Sequence, residues 1–121
     1  MKVLLDTSFI VSCIRKGIDF LAQLEEQGFE VVLSKEVLEE LKDLREKSST
    51  SQEDRTAIDV SFEMFEKRDF EKISLGGKSV DSGLIEKGNA GFFIATLDAD
   101  IKNSVPNKIV IFGSKKSVGR E

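Results

Sequence analysis

Short apolar runs alternate along the chain with stretches whose apolar residues recur every three or four positions. The runs are typical of buried strands and predict five strands, within residues 2–6, 29–34, 70–75, 91–96 and 108–113. The periodic stretches predict helices over about 7–15, 18–27, 35–47, 54–67 and 80–87, with one helical turn at 98–103. Strands that alternate with helices favour a three-layer α/β/α fold with a mainly parallel, five-stranded sheet.

The length of 121 residues predicts a single domain covering 1–121. We expect the polar, serine-rich segment at about 47–54 to be a flexible loop between two helices, and the basic segment at about 113–121 to be a C-terminal tail. No apolar run is long enough to span a membrane, and the first residues lack the pattern of a signal peptide. The expected location is therefore cytoplasmic.

The residue types that are missing remove several kinds of chemistry. There is no histidine and no tyrosine, which excludes Ser-His-Asp and Cys-His catalysis and a phenolic acid. The single cysteine, Cys13, excludes an internal disulfide and a cysteine-built zinc site. The segment "LGGKS" lacks the spacing of a phosphate-binding P-loop. An enzyme made from this chain would rely on carboxylates, lysines, hydroxyls and a bound metal.

Two of the predicted strands are followed by an aspartate. Asp6 ends the first strand, and Asp98 is the second residue after the strand "GFFIAT". In parallel sheets, ligands bind beyond the carboxyl ends of the strands, where the winding reverses, so both residues are candidates for a functional site. Each could instead be the N-cap of the helix that follows it.

Helical phase selects two further acids. In the third predicted helix, Glu40 lies on a shoulder of the apolar face, whereas Glu39 points directly away from it. In the segment "VDSGLIEKG", Asp81 lies one turn before the apolar pair and on the same face. The alternatives are that Glu40 belongs to the solvated surface and that Asp81 interacts favourably with the helix dipole.

Four acids that converge on one place would repel one another without a compensating charge. A divalent cation supplies that compensation, and ligation by oxygen alone suits Mg²⁺ or Mn²⁺. The sequence therefore predicts a metal site of four carboxylates, from Asp6, Glu40, Asp81 and Asp98.

Four segments in chain order resemble the acidic motifs of PIN-domain nucleases: "VLLDTSFI", "VLEEL", "VDSGLIE" and "IATLDADI". The resemblance covers essentially the whole chain, including the closing strand "NKIVIFG". The opening segment is most similar to small archaeal PIN proteins akin to ribosomal-RNA-processing endonucleases. The catalytic and metal-binding acids of the family fall on the same four residues, with Asp100 as a fifth candidate ligand and Ser8 and Thr96 as supporting hydroxyls.

The resemblance implies a PIN-like domain that hydrolyses RNA phosphodiester bonds with Mg²⁺ or Mn²⁺, in ribosomal-RNA processing. It also implies RNA as the partner and a homodimer. Two alternatives remain open: a toxin-type ribonuclease paired with an antitoxin, and a non-catalytic RNA-binding module for ribosome assembly that keeps the fold. One departure bears on activity, because relatives often carry two consecutive acids where this chain has Asp81 and Ser82.

The net charge of −4 is unusual for a protein that binds RNA, because phosphate contacts come mainly from lysine and arginine. Part of the negative charge belongs to the predicted metal site. A local basic rim is expected to supply the RNA contacts, from Arg15, Lys16, Lys102, Lys115, Lys116 and Arg120.

Overall fold

Six strands and six α-helices follow one another in a computed structural model that describes all 121 residues. The strands are β1 Lys2–Leu5, β2 Glu30–Ser34, β3 Glu71–Ile73, β4 Phe93–Ala95, β5 Lys108–Phe112 and β6 Ser117–Arg120. The helices are α1 Thr7–Arg15, α2 Phe20–Glu26, α3 Lys35–Glu46, α4 Gln52–Glu66, α5 Val80–Asn89 and α6 Ala99–Asn103. None of these helices is both long enough and apolar enough to cross a membrane.

The strands form one sheet in the order β3-β2-β1-β4-β5-β6, and only the pair of β5 and β6 is antiparallel. The predicted α/β/α fold with a mainly parallel sheet is confirmed, with six strands rather than five. The sixth strand lies in the basic segment that we expected to be a tail. Its sequence, "SVGR", has too little apolar alternation to predict a strand, and pairing with β5 fixes it, with Val118 and Gly119 buried.

A serine or aspartate side chain begins every helix by accepting a hydrogen bond from a backbone N–H of the first turn. One of these caps corrects the predicted loop at 47–54. Ser51 accepts from the N–H of Asp54 at 3.1 Å, so α4 begins at Gln52 and the connection is limited to 47–51. The serines that suggested a flexible loop therefore include the residue that starts the next helix.

The sheet lies between two layers of helices. Helices α1 to α4 pack on one face over a core that includes Phe9, Phe20 and Leu41, and α5 and α6 contribute Leu84 and Ile101 to a smaller core on the other face. The chain winds from β1 outward to β3 on one side, and then crosses to β4 on the far side of β1. The winding thus reverses between β1 and β4, where a doubly wound sheet opens a crevice at its carboxyl edge.

Helix α5 approaches the sheet closely because it carries two glycines on its buried side. A Cβ on Gly83 would come 2.7 Å from Cβ of Leu75, and a Cβ on Gly88 would come 2.5 Å from Cγ1 of Val105. Both distances are shorter than atoms tolerate, so the glycines set the position of α5. They also set the position of Asp81 in its first turn.

Gly88→Ala should therefore destabilise the fold, although alanine favours a helix over glycine by about 1 kcal/mol. We expect a net loss of roughly 1–3 kcal/mol in the free energy of unfolding, because the new methyl group overpacks the core against Val105. Chemical denaturation measures the loss, and adding Val105→Ala should recover part of it. A Gly88→Ala protein that is more stable than the wild type would contradict this account of the α5 position.

Candidate active site

Asp6 lies at the reversal of the winding, directly after β1, and is only 7% exposed. Its Oδ1 accepts from the N–H of Thr7 at 2.9 Å and caps α1, and its Oδ2 accepts from the hydroxyl of Thr96 at 2.6 Å. Burial raises the pKa of Asp6, the two hydrogen bonds oppose the rise, and the neighbouring charges of Glu40 and Asp81 add to it. The structure thus holds a buried carboxylate close to two other acids.

Glu40 projects from α3 toward the same place. It is half-buried, whereas Glu39 beside it is exposed, in agreement with the helical phase. The hydroxyl of Thr7 donates to Oε1 of Glu40 and so links α3 to the start of α1. The sequence did not predict this contact of Thr7, which joins residues 33 positions apart.

Asp98 is joined to Asp6 through the hydroxyl of Thr96, which accepts from the N–H of Asp98 at 3.0 Å while it donates to Asp6. Asp98 is also the N-cap of α6, because its Oδ1 accepts from the N–H of Ile101 at 3.1 Å. The capping role considered for Asp98 is therefore real. It uses one carboxylate oxygen, and Oδ2 makes no hydrogen bond to the protein.

Asp81 differs from its prediction, because its side chain is exposed rather than on a buried face. It lies in the first turn of α5, one turn before the buried Leu84, and its side chain is left uncovered there. It remains near enough for its charge to raise the pKa of Asp6. Its neighbour Ser82 forms a reciprocal capping box with Ser79, so the position after Asp81 serves to start α5.

The remaining predicted residues have separate places. The hydroxyl of Ser8 accepts from the N–H of Leu97 at 3.1 Å and lies 3.5 Å from Oδ2 of Asp6, so it holds the β4 end against the acids. Asp100 is exposed in the first turn of α6, and its side chain makes no hydrogen bond. Burial raises the pKa of Cys13 to about 12, so the one thiol is not available as a nucleophile at neutral pH.

No lysine or arginine compensates these acids. The six ion pairs of the structure lie elsewhere and include none of Asp6, Glu40, Asp81 and Asp98. Carboxylates without a protein cation form a donor set that fits a hard divalent ion. No three acidic side chains are already placed to hold one ion, so the predicted four-carboxylate ligation is not preformed, and binding would require side-chain rotation.

A sheet whose winding reverses between two acid-bearing strand ends defines a doubly wound α/β domain with a carboxyl-edge site. No protein-family model matches the chain, and a search of curated proteins gives no significant match. The fold is similar to that of a solved structure, the PIN domain endonuclease Utp24. The TM-score is 0.72 at 20% sequence identity, over 99% of this chain and 90% of that chain. The chain therefore has the PIN-domain fold, and the resemblance predicted from the acidic motifs is confirmed at that level.

Asp6→Asn should raise the melting temperature of the metal-free protein at pH 7. A carboxyl whose pKa is raised by folding stabilises the protein below its unfolded pKa, and this contribution is lost as the pH rises through the folded pKa. Asparagine stays neutral and its Oδ1 can still cap α1, so it escapes the loss. Its Nδ2 cannot accept from the hydroxyl of Thr96 as Oδ2 of Asp6 does, which reduces the gain by about 1 kcal/mol.

The difference in melting temperature between Asp6→Asn and wild type should shrink as the pH is lowered toward the unfolded pKa of aspartate, near 4. Asp100→Asn, which changes an exposed acid nearby, is the matched control and should show no such trend. An Asp6→Asn melting temperature that is below the wild-type value at pH 7 and approaches it as the pH falls would mean that Asp6 is stabilised as an anion.

Proposed function

We propose that the protein is a metal-dependent endoribonuclease whose site is the acid cluster of Asp6, Glu40, Asp81 and Asp98. One observation carries the proposal: acids without a protein cation gather at the reversal of the winding in a PIN-domain fold. Asp6, the buried member of the cluster, supports this assignment, because a buried charge is costly unless it is compensated. The endonuclease activity named for the structural neighbour supports the same assignment.

The hydrogen bonds suggest a division of roles among the acids. Asp6 and Glu40 are held in place by Thr96 and Thr7, which suits the ligands that fix the position of an ion. Asp98 keeps one free carboxylate oxygen that could complete the shell. A bound Mg²⁺ or Mn²⁺ would supply positive charge for the scissile phosphate and would acidify a water molecule.

Asp81 is the acid best placed to orient the attacking water. It is exposed and makes no hydrogen bond to the protein, so its oxygens are free to accept a proton from water at the mouth of the site. Asp100 is exposed on the neighbouring helix and is a further candidate for the same role. Such an acid contributes by positioning and by general-base catalysis, and neither role needs a histidine.

A groove beside the acids offers an approach for the substrate strand. Its volume is about 500 Å³, and one wall is the exposed side of α1. The side chains run from hydroxyls near the acids to cations at the far end, in the order Thr7, Ser8, Ser12, Arg15 and Lys16. Arg15 pairs with Glu53 and Asp54, so Lys16 is the cation of this wall that is free for a phosphate.

The substrate class follows from the same features. Hydroxyls and a free lysine would contact the sugar-phosphate backbone rather than the bases, which suits a single strand bound without sequence preference. We propose ribosomal RNA as the biological substrate on the basis of the family resemblance. A toxin-type ribonuclease would have the same site and differ in its RNA and in its antitoxin partner. A non-catalytic assembly module would bind RNA and leave it intact.

Asp98→Asn should abolish Mn²⁺-dependent cleavage of single-stranded RNA, measured with end-labelled oligonucleotides on a gel. The loss should reach at least a hundredfold in rate, because a neutral side chain no longer compensates the ion. Asparagine keeps the oxygen that caps α6, so the melting temperature of the metal-free protein should change little.

Glu39→Gln is the matched control for this experiment, since it removes an exposed charge from the same region. We expect it to cleave at the wild-type rate. If Asp98→Asn cleaves as well as wild type, Asp98 is only a helix cap. If the wild type is inert on a varied RNA panel with Mg²⁺ and Mn²⁺, the assembly-module alternative is favoured.

Divalent metal should stabilise the folded protein by mass action, by about 2.7 kcal/mol when the free ion is at a hundred times its Kd. Thermal melting with and without millimolar Mn²⁺ measures this shift, and a K⁺ series at matched ionic strength separates ligation from general screening. Asp6→Asn should abolish the shift, whereas Glu39→Gln should keep it. If Mn²⁺ does not change the melting temperature of the wild type, a metal site is excluded at that concentration.

A further inference from the structure

The hairpin of β5 and β6 projects past the edge of the sheet that carries the acids. Ile109 of β5 is level with Ala95, the last residue of β4, and Phe112 lies three residues further along the strand. At the rise of a strand this places Phe112 about 10 Å beyond the end of β4. The hairpin tip, Gly113–Lys116, therefore rises beside the mouth of the candidate active site.

Phe112 is an exposed ring in a fixed place. It is 41% exposed, and it is the only phenylalanine among the exposed large apolar residues. A Cβ on Gly119 would come 3.2 Å from Cε2 of Phe112, so the ring lies over the bare backbone of the neighbouring strand. Gly119 thus makes room for the edge of the ring, and the rest of the side chain is partly open to solvent.

Two glutamines, Gln23 of α2 and Gln27 directly after it, hold the hairpin against the domain. Oε1 of Gln23 accepts from the N–H of Val118 at 2.8 Å, and Nε2 of Gln27 donates to the carbonyl of Val118 at 2.9 Å. These amides take the place of a further strand along the outer edge of β6. An exposed aromatic on a rigid support loses little entropy when it binds a flat partner.

The charges at the hairpin tip are positive and unpaired. Lys115 and Lys116 form no ion pair, whereas the guanidinium of Arg120 lies over the ring of Phe93, 5.2 Å from its centroid. The one acid in residues 112–121 is Glu121. Lys116 stands at the tip of the turn in a left-handed conformation, with φ of 47°. This excess of cations contrasts with the net charge of −4 for the whole chain.

We infer that this hairpin, residues 112–120, is a binding platform for single-stranded RNA next to the cleavage site. One unpaired base stacks on the exposed part of Phe112, and Lys115 and Lys116 contact the flanking phosphates. Aromatic stacking combined with lysine contacts is the arrangement by which proteins hold single strands without reading their sequence. The inference rests on the proposed function for the choice of RNA as the ligand.

Phe112→Trp tests this contact directly, because the natural chain has no tryptophan and no tyrosine. The new indole is then the single strong fluorophore, and stacking of a base should quench it. The variant is made together with Asp98→Asn, which keeps the RNA intact, and is titrated with an unstructured RNA of about ten nucleotides. We expect saturable quenching by this RNA and little or none by the same strand in a perfect duplex.

Two further variants separate stacking from charge. Phe112→Leu keeps an apolar side chain without a ring and should weaken binding about fivefold to a hundredfold, as the loss of one stacked base does. The double change Lys115→Gln with Lys116→Gln should lower the salt dependence of log affinity by about 1.4. Its matched control is Lys42→Gln with Lys67→Gln, which removes two exposed, unpaired lysines elsewhere and should have a smaller effect.

The outcomes distinguish this inference from the proposed function. Quenching without any cleavage by the Phe112→Trp protein that keeps Asp98 would support the platform and count against the nuclease. If Phe112→Leu and the Lys115 and Lys116 double variant cleave and bind RNA as the wild type does, the nuclease is supported and the platform is overturned. The platform would also be overturned if the indole fluorescence does not change while the RNA binds, or if the protein binds no RNA. Either result would favour a protein partner for the exposed ring.

Discussion

The hydrogen bond from the hydroxyl of Thr96 to the carboxylate of Asp6 joins the ends of the two central strands at the reversal of the winding. Because Asp98 donates to the same hydroxyl, the start of α6 is fixed relative to the start of α1. Thr7 extends this connection to Glu40 on α3. The relative positions of three helices at the carboxyl edge thus depend on one buried carboxylate and two threonines.

At Asp6, the charge that would bind a metal lowers the stability of the metal-free fold. Burial and the charges of Glu40 and Asp81 raise the pKa of Asp6, so its ionised form costs free energy in the metal-free protein. A bound cation would offset that cost, and its binding free energy would add to the free energy of unfolding. The same residues also begin helices: Asp6 caps α1 and Asp98 caps α6. The sequence left open whether these acids are helix caps or metal ligands. A carboxylate has two oxygens, so each acid can cap a helix with one and ligate an ion with the other.

Sequence patterns predicted the layers, the parallel strands and the inward lean of Glu40, because each of these depends on local periodicity. They did not predict β6, whose position comes from pairing with β5 and from the amides of Gln23 and Gln27, residues about ninety positions away. Phase also placed Asp81 on a buried face, since periodicity cannot show which part of a helix face other elements cover. The contact of Thr7 with Glu40 joins residues 33 positions apart, and no local pattern encodes it.

For RNA binding, the positions of the charges matter more than the net charge of −4. Four of the 22 acids are assigned to the proposed ion site. Lysines without an ion pair lie at Lys16 on the wall of α1 and at Lys115 and Lys116 on the hairpin. A single strand that passed from the α1 groove to the hairpin would cross the acids between them. Only the phosphate above the acids would then need a metal for its charge, because lysines compensate its neighbours. An acidic protein can thus hold a polyanion if its cations are placed along one path.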